Sequence, residues 1–260
     1  MRMDTVPIGA LFVVTVIIMV IAMKAGHRLG AVVRRRSEDE KESPVSAKMG
    51  AILGLLAFIL AFTFGIVTNR YDSRKELVRN EANAIGTAYL RSDFMSEPDR
   101  GKTKKLFREY LDTRIAAVVS RNLDTQHKAL IESDRIQHQL WDMAVVNAFK
   151  DMNSDVAALY IDALNQVIDI HALRVAIGLQ ARIPVGIWLV LYILVILGML
   201  GIGYQTAIAA SARKSWTTPI LALAFSLVII LIASLDRPQS GFIPVSQQPL
   251  VDLRASMGEK

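Results

Sequence analysis

Five charged side chains stand within seven positions of one another at Arg70, Asp72, Arg74, Lys75 and Glu76, directly after an apolar run. Arginines repeated as a ring around an axis would concentrate anions at a vestibule. The same residues could equally anchor a helix at a membrane interface, with i,i+4 pairs that contribute little in water. Further on, Glu81, Asn83 and Thr87 lie among Ala82, Ala84, Ile85, Gly86 and Ala88. Polar groups on a helix so rich in small residues predict close packing with hydrogen bonds across a bundle, or the lining of a hydrophilic cavity.

Other chemistries find little support. His127 and His138 are about three helical turns apart and His171 precedes an apolar segment, whereas a metal needs ligands one turn apart or converging from several helices. No E-x-x-H pattern exists, so the histidines read as solvated, with His171 in IDIHALR a candidate pH-sensitive group near an interface. The chain has no cysteine, which excludes disulfides and thiolate nucleophiles. G-x-S-x-G, H-E-x-x-H, P-loop and G-x-G-x-x-G motifs are missing. The sequence therefore predicts no enzyme, no catalytic residue, no metal and no cofactor. The formal charge of +6 reflects basic residues clustered in one short segment and not a basic face interleaved with aromatics, so no nucleic-acid partner is expected.

The elements that must position these residues follow from hydropathy. The chain is 52% hydrophobic and 21% charged, with mean hydropathy +0.35, so charge and apolar content must be segregated. Four windows without charged side chains, 7–23, 49–68, 183–212 and 217–235, each approach the roughly 20 residues that cross a bilayer. Backbone groups in hydrocarbon must bond internally, which predicts a helix for each. The first is read as a retained span, because its apolar core is long for a signal peptide and no A-x-A-like site follows.

The apolar run 51–68 passes without a helix breaker into 69–94. One helix is therefore predicted to leave the bilayer and continue into water. A second bundle helix shows a helical period at Leu106, Phe107, Tyr110, Leu111, Ile115 and Val118. Asp124 and Ser154 suit the caps of two more, the last running toward the third span with Pro184 at its start. The fold class is thus an all-α integral membrane protein: four transmembrane helices with a four-helix soluble bundle inserted between spans 2 and 3. The expected domains are 1–68 (spans 1 and 2 with a basic connecting loop over 24–48), 69–182 (the bundle), 183–235 (spans 3 and 4) and 236–260. The last 25 residues contain three prolines and are expected to be an extended tail. Lys and Arg number about seven between spans 1 and 2, two between spans 3 and 4 and one before span 1. The positive-inside rule then places the bundle and both termini on the periplasmic side.

The stretch LAFTFGIVTNRYDSRKELVRNEANAIGTAYLR, with LDRPQSGFIPVSQQPL after the last span, resembles the bacterial bestrophin-like membrane protein family over essentially the whole chain. A weaker likeness is to the bestrophins, pentameric anion channels whose second span lines the pore. That resemblance implies a homo-oligomeric ion channel of the bacterial inner membrane, anion-conducting and pentameric, with small inorganic ions, membrane lipids and further copies of itself as partners. It places a pore constriction at Leu56, Leu60 and Phe64, which share one helix face, and a pore mouth at Thr68, Arg70, Asp72 and Arg74. The acidic cluster that binds calcium in animal bestrophins has no counterpart, so calcium gating is not implied. The alternative function is a non-conducting membrane scaffold or sensor whose bundle transmits binding to the spans or to a partner.

Overall fold

The computed structural model describes residues 6–36, 42–119, 123–151, 153–209, 217–237 and 241–258. Eight α-helices are found among them and no strand: α1 (Ile8–Arg36), α2 (Glu42–Arg91), α3 (Asp99–Val119), α4 (Leu123–Ala148), α5 (Asp155–Val175), α6 (Val185–Ile208), α7 (Thr217–Asp236) and α8 (Gln248–Ser256). α2 is one uninterrupted element of 50 residues. No proline or tight turn interrupts its hydrogen-bond ladder, and the change from apolar to charged composition near Asn69 leaves the backbone unaffected.

Among the described residues five helices are long and apolar enough to cross a membrane: α1, α2, α5, α6 and α7. α5 is the least apolar of them. It carries Asp155, Asp162, Asp169 and Arg174 along its length and buries Tyr160, Ala163, Leu164 and Val167 in a core shared with α3 and α4. The chain divides into two compact units, 1–69 with 182–243 and 70–181 with 244–260.

In the first unit the helix–helix contacts depend on small residues. A side chain at Gly26 would have its Cβ 1.8 Å from the Leu200 carbonyl oxygen, and one at Gly203 would lie 2.0 Å from that of Met23. α1 and α6 therefore meet backbone to backbone, which only glycine permits. Polar side chains inside the unit bond locally: Thr15 Oγ1 donates to the Leu11 carbonyl at 2.8 Å and lies 2.9 Å from the Tyr192 hydroxyl of α6. Ser226 of α7 donates to the Ala222 carbonyl at 2.8 Å. At the end of α7, Asp236 Oδ1 accepts from the Ile183 backbone N–H at 3.0 Å, a carboxylate at the positive start of α6. Arg237 reaches the Val6 carbonyl ahead of α1.

In the second unit α2, α3, α4 and α5 surround Phe107, Tyr110, Leu111, Ile136, Leu140 and Leu164. The supposed extended tail departs from expectation. Gln248–Ser256 form α8 with Pro249 in its first turn, where proline's missing N–H costs nothing. Leu250 and Met257 are buried in the bundle core, and Arg254 makes a two-point pair with Asp112 of α3 at 2.8 and 3.2 Å. The basic loop over 24–48 is also corrected. α1 continues to Arg36 and α2 starts at Glu42, so the helices absorb most of it; the EDEK part of the segment, 38–41, lies outside the described residues.

Replacing Gly26 or Gly203 by valine should push α1 off α6. The expected loss is at least the ~1–3 kcal/mol of an overpacked core, seen as a lowered midpoint in thermal unfolding in detergent. Gly9→Ala, where an added Cβ meets nothing within 4 Å, should leave the midpoint unchanged.

Candidate functional site: an aromatic helix face and a buried ion cluster

Two arrangements carry the residues that the sequence singles out, one in each unit. In the apolar half of α2, Leu56 is 0% exposed and Leu60 4%. Thr63 and Val67 continue the same buried face, with the Thr63 hydroxyl returned to the Ile59 carbonyl at 2.7 Å. A Cβ at Gly198 of α6 would lie 3.2 Å from Leu53 Cδ2 and 3.8 Å from Leu56 Cδ2. Leu53 and Leu56 therefore pack against the protein's own α6, and within the expected stripe Leu56 and Leu60 are buried whereas Phe64 is not. Phe64 is 38% exposed, whereas Phe58 is 65% and Phe62 60% exposed. Phe58 and Phe62 are one turn apart on one face. The outward aromatic face thus belongs to positions that the sequence analysis passed over.

The expected mouth residues are also divided. Thr68 is half-buried and donates to the Phe64 carbonyl at 2.9 Å. Asp72 is exposed, 3.8 Å from Lys75 one turn on. Arg70 is partly buried and Arg74 is buried. The four positions thus differ in exposure within the subunit.

One turn and a half deeper in the bundle, Glu81 has no exposed surface. Its Oε1 accepts from Arg114 Nε of α3 at 3.0 Å, and its other oxygen faces the Arg174 guanidinium of α5. Arg174 also donates to the Gln247 side-chain oxygen, just ahead of α8, at 2.9 Å. A buried carboxylate is tolerable only with such partners, because removing an ion from water costs several kcal/mol even after relaxation. Burial pulls the Arg174 guanidinium down to about 10, well above neutral pH, and shifts Arg114 in the same direction. Asn83 and Thr87 are exposed on the opposite side of α2. Of the three polar residues expected to pack or line a cavity, only Glu81 is inside.

Beside this cluster lies a hydrogen-bonded chain that the sequence analysis did not foresee. Gln137 Nε2 donates to the Tyr110 hydroxyl at 3.0 Å, so the Tyr110 proton is directed to His171 Nδ1, 3.1 Å away. His171 Nε2 then carries the ring hydrogen toward Asp134 Oδ1 at 3.4 Å. His171 is buried, unlike His127 and His138, which are exposed as expected. Desolvation, aided by the positive charge of Arg114 and opposed by Asp134, holds its imidazole down at about 4. Burial likewise pushes the Tyr110 hydroxyl up. The only sequence signal for this chain was the helical period that put Tyr110 on the inner face of α3. Among the described residues no group of three His, Cys, Asp or Glu is placed to hold a metal ion.

Comparison with known proteins adds the wider context. The bestrophin-like domain matches residues 10–250. Among solved structures, one variant of a bacterial bestrophin homologue from Klebsiella pneumoniae superposes with a TM-score of 0.64 at 12% identity, covering 95% of this chain and 96% of that one. A second variant gives 0.62 at 12% identity, over 94% and 98%. A further structure, described as a membrane protein, gives 0.62 at 13% identity over 94% and 97%. At these identities the likeness is one of fold. No curated protein matches the chain.

Two consequences are measurable. Glu81→Gln would strand two buried guanidiniums, and denaturant unfolding should show a loss of about 3–5 kcal/mol; an unchanged midpoint would mean that the cluster is not dry. The second concerns pH. The native imidazole of His171 resists a proton that the unfolded chain accepts near the ordinary value of 6.5. The unfolded state therefore binds more protons in this window, and stability must fall as pH drops from 6.5 toward 4. In His171→Gln, thermal midpoints measured between pH 6.5 and 5 should lose that slope.

Proposed function

The chain belongs to the bestrophin-like family, and from that premise we propose that it is one subunit of a homo-oligomeric channel in the bacterial inner membrane, passing small anions. The observation that carries this reading is the outward face of α2, where Phe58 and Phe62 are exposed on an apolar helix that continues into the charged segment from Arg70. A ring of such faces, one per subunit, makes an apolar constriction that passes ions only when wetted. Phe58 and Phe62, flanked by Phe64, take the role first given to Leu56 and Leu60. Arg70, Asp72 and Arg74 form the mouth beside Thr68, and two arginines against one acid there favour anions.

In this reading the spans are α1, the apolar half of α2, α6 and α7. α5, with its buried Tyr160, His171 and Arg174 partners, stays with the bundle outside the lipid. The subunit number is five, by the resemblance to bestrophins. The basic segment between α1 and α2 faces the cytoplasm, and the bundle and both termini face the periplasm.

Purified protein reconstituted in liposomes should release trapped halide, and Phe62→Ala should raise the flux several-fold by widening the constriction. Arg70→Ala should reduce the preference for halide over a cation. Absence of flux in wild type and Phe62→Ala alike, or a particle without an axial opening, would overturn the channel reading in favour of a non-conducting scaffold or sensor. Native mass spectrometry reads the subunit number directly. The orientation has its own test, since the chain has no cysteine. Thr125→Cys, exposed on α4, should react with an impermeant maleimide in cells whose outer membrane has been opened. Reaction only after rupture of the inner membrane would reverse the orientation.

A further inference from the structure

Next to the Tyr110–His171 chain, and sharing Asp134 and Gln137 with it, a groove of about 440 Å³ opens between α4 and α5, lined by Asp134, Gln137, His138, Trp141, Asn165 and Ile168. That volume lies in the range of small-molecule sites. Its wall is set from behind. Gln137 is buried and its amide is fixed by the Tyr110 hydroxyl at 3.0 Å, while Asp134 receives the His171 ring at 3.4 Å.

The lining has a definite electrostatic character. No Lys or Arg contributes to it, and Asp134 supplies its one formal charge. The surrounding helices reinforce the sign: α4 carries four acids against two bases and α5 three against one, in a chain whose net charge is +6. The lining also holds Trp141, partly exposed, with the side-chain amide of Asn165 and the imidazole of His138 as further polar groups. A groove that offers both a carboxylate and an indole, and has no Lys or Arg in its lining, suits an ammonium group bearing apolar substituents. An anionic ligand would meet the Asp134 carboxylate with no Lys or Arg in the lining to offset it.

We propose that the α4–α5 groove binds a small organic cation, an alkylated or quaternary ammonium compound, with Asp134 as its counter-charge and the Trp141 ring against its alkyl groups. Such a ligand would bridge two helices of the bundle and neutralise the carboxylate that meets His171. The site is separate from the aromatic face of α2 and is independent of whether the protein conducts ions.

Isothermal titration of the full-length protein in detergent with choline tests this, with 3,3-dimethylbutan-1-ol as the neutral isostere. Choline should give saturable heat, and the alcohol should bind at least about tenfold more weakly, the loss expected when a cation–π contact and its counter-charge go unused. Asp134→Asn and Trp141→Leu should each weaken choline by about tenfold, whereas Trp141→Phe, which keeps a ring, should retain most of the affinity. Circular dichroism confirms that the variants are folded. Equal binding of choline and the alcohol, unchanged affinity in Asp134→Asn and Trp141→Leu, or no saturable heat in the wild type would each overturn the proposal. Halide flux does not enter any of these measurements, so failure here and failure of the channel reading are distinguishable.

Discussion

A carboxylate without exposed surface must be neutralised where it stands, and in this chain that requirement falls on Glu81. Arg114 and Arg174 meet it from two other helices. The pairing is a weak source of net stability, since desolvating three ions offsets most of the attraction between them. Its effect is on specificity. A charge that can be satisfied in only one arrangement fixes the rotation of α2 against α3 and α5, which purely apolar contacts among Ala82, Ala84, Ile85 and Ala88 would leave less defined. Arg174 then has donors to spare, and the Gln247 oxygen takes one of them. The segment leading into α8 is thereby recruited into the bundle, where Leu250 and Met257 enter the core and Arg254 closes on Asp112. The tail is a structural fifth helix of the bundle because a buried guanidinium and an apolar surface both needed covering.

How much of this could be read from residues alone depends on the physics that each feature obeys. The long apolar helices α1, α2, α6 and α7 were legible because hydrocarbon demands about twenty apolar residues and admits no unpaired backbone group. The continuity of α2 was legible because nothing between Ala51 and Phe94 stops a helix. The buried side of the bundle helices was partly legible, since water on the outer face imposes a period. Glu81, Asn83 and Thr87 show the limit: all three are polar on one helix, and which of them turns inward depends on where Arg114 and Arg174 arrive from. His171 was taken as solvated for the same reason, since its partners Tyr110, Gln137 and Asp134 come from α3 and α4. In the tail, Pro249 was read as a breaker although a proline in the first turn starts a helix as readily as it ends one.

The apolar half of α2 fails to declare its faces for a different reason. Lipid, a neighbouring helix and a dry constriction are all apolar surroundings, so hydrophobic periodicity carries no information about which side meets which. The information resides elsewhere in the chain. Gly201 of α6 lies where a Cβ would fall 1.7 Å from Met49 Sδ, and Gly198 lies against Leu53 and Leu56. These glycines are hollows on α6 that receive the large side chains of one face of α2. Once Met49, Leu53 and Leu56 are committed to that contact, Phe58 and Phe62 face away from it, because side chains two positions apart on a helix point in very different directions. The direction of the aromatic face is therefore a property of α6, about 140 residues further along the chain. A substitution that fills one of those hollows would redirect the phenylalanines without touching them.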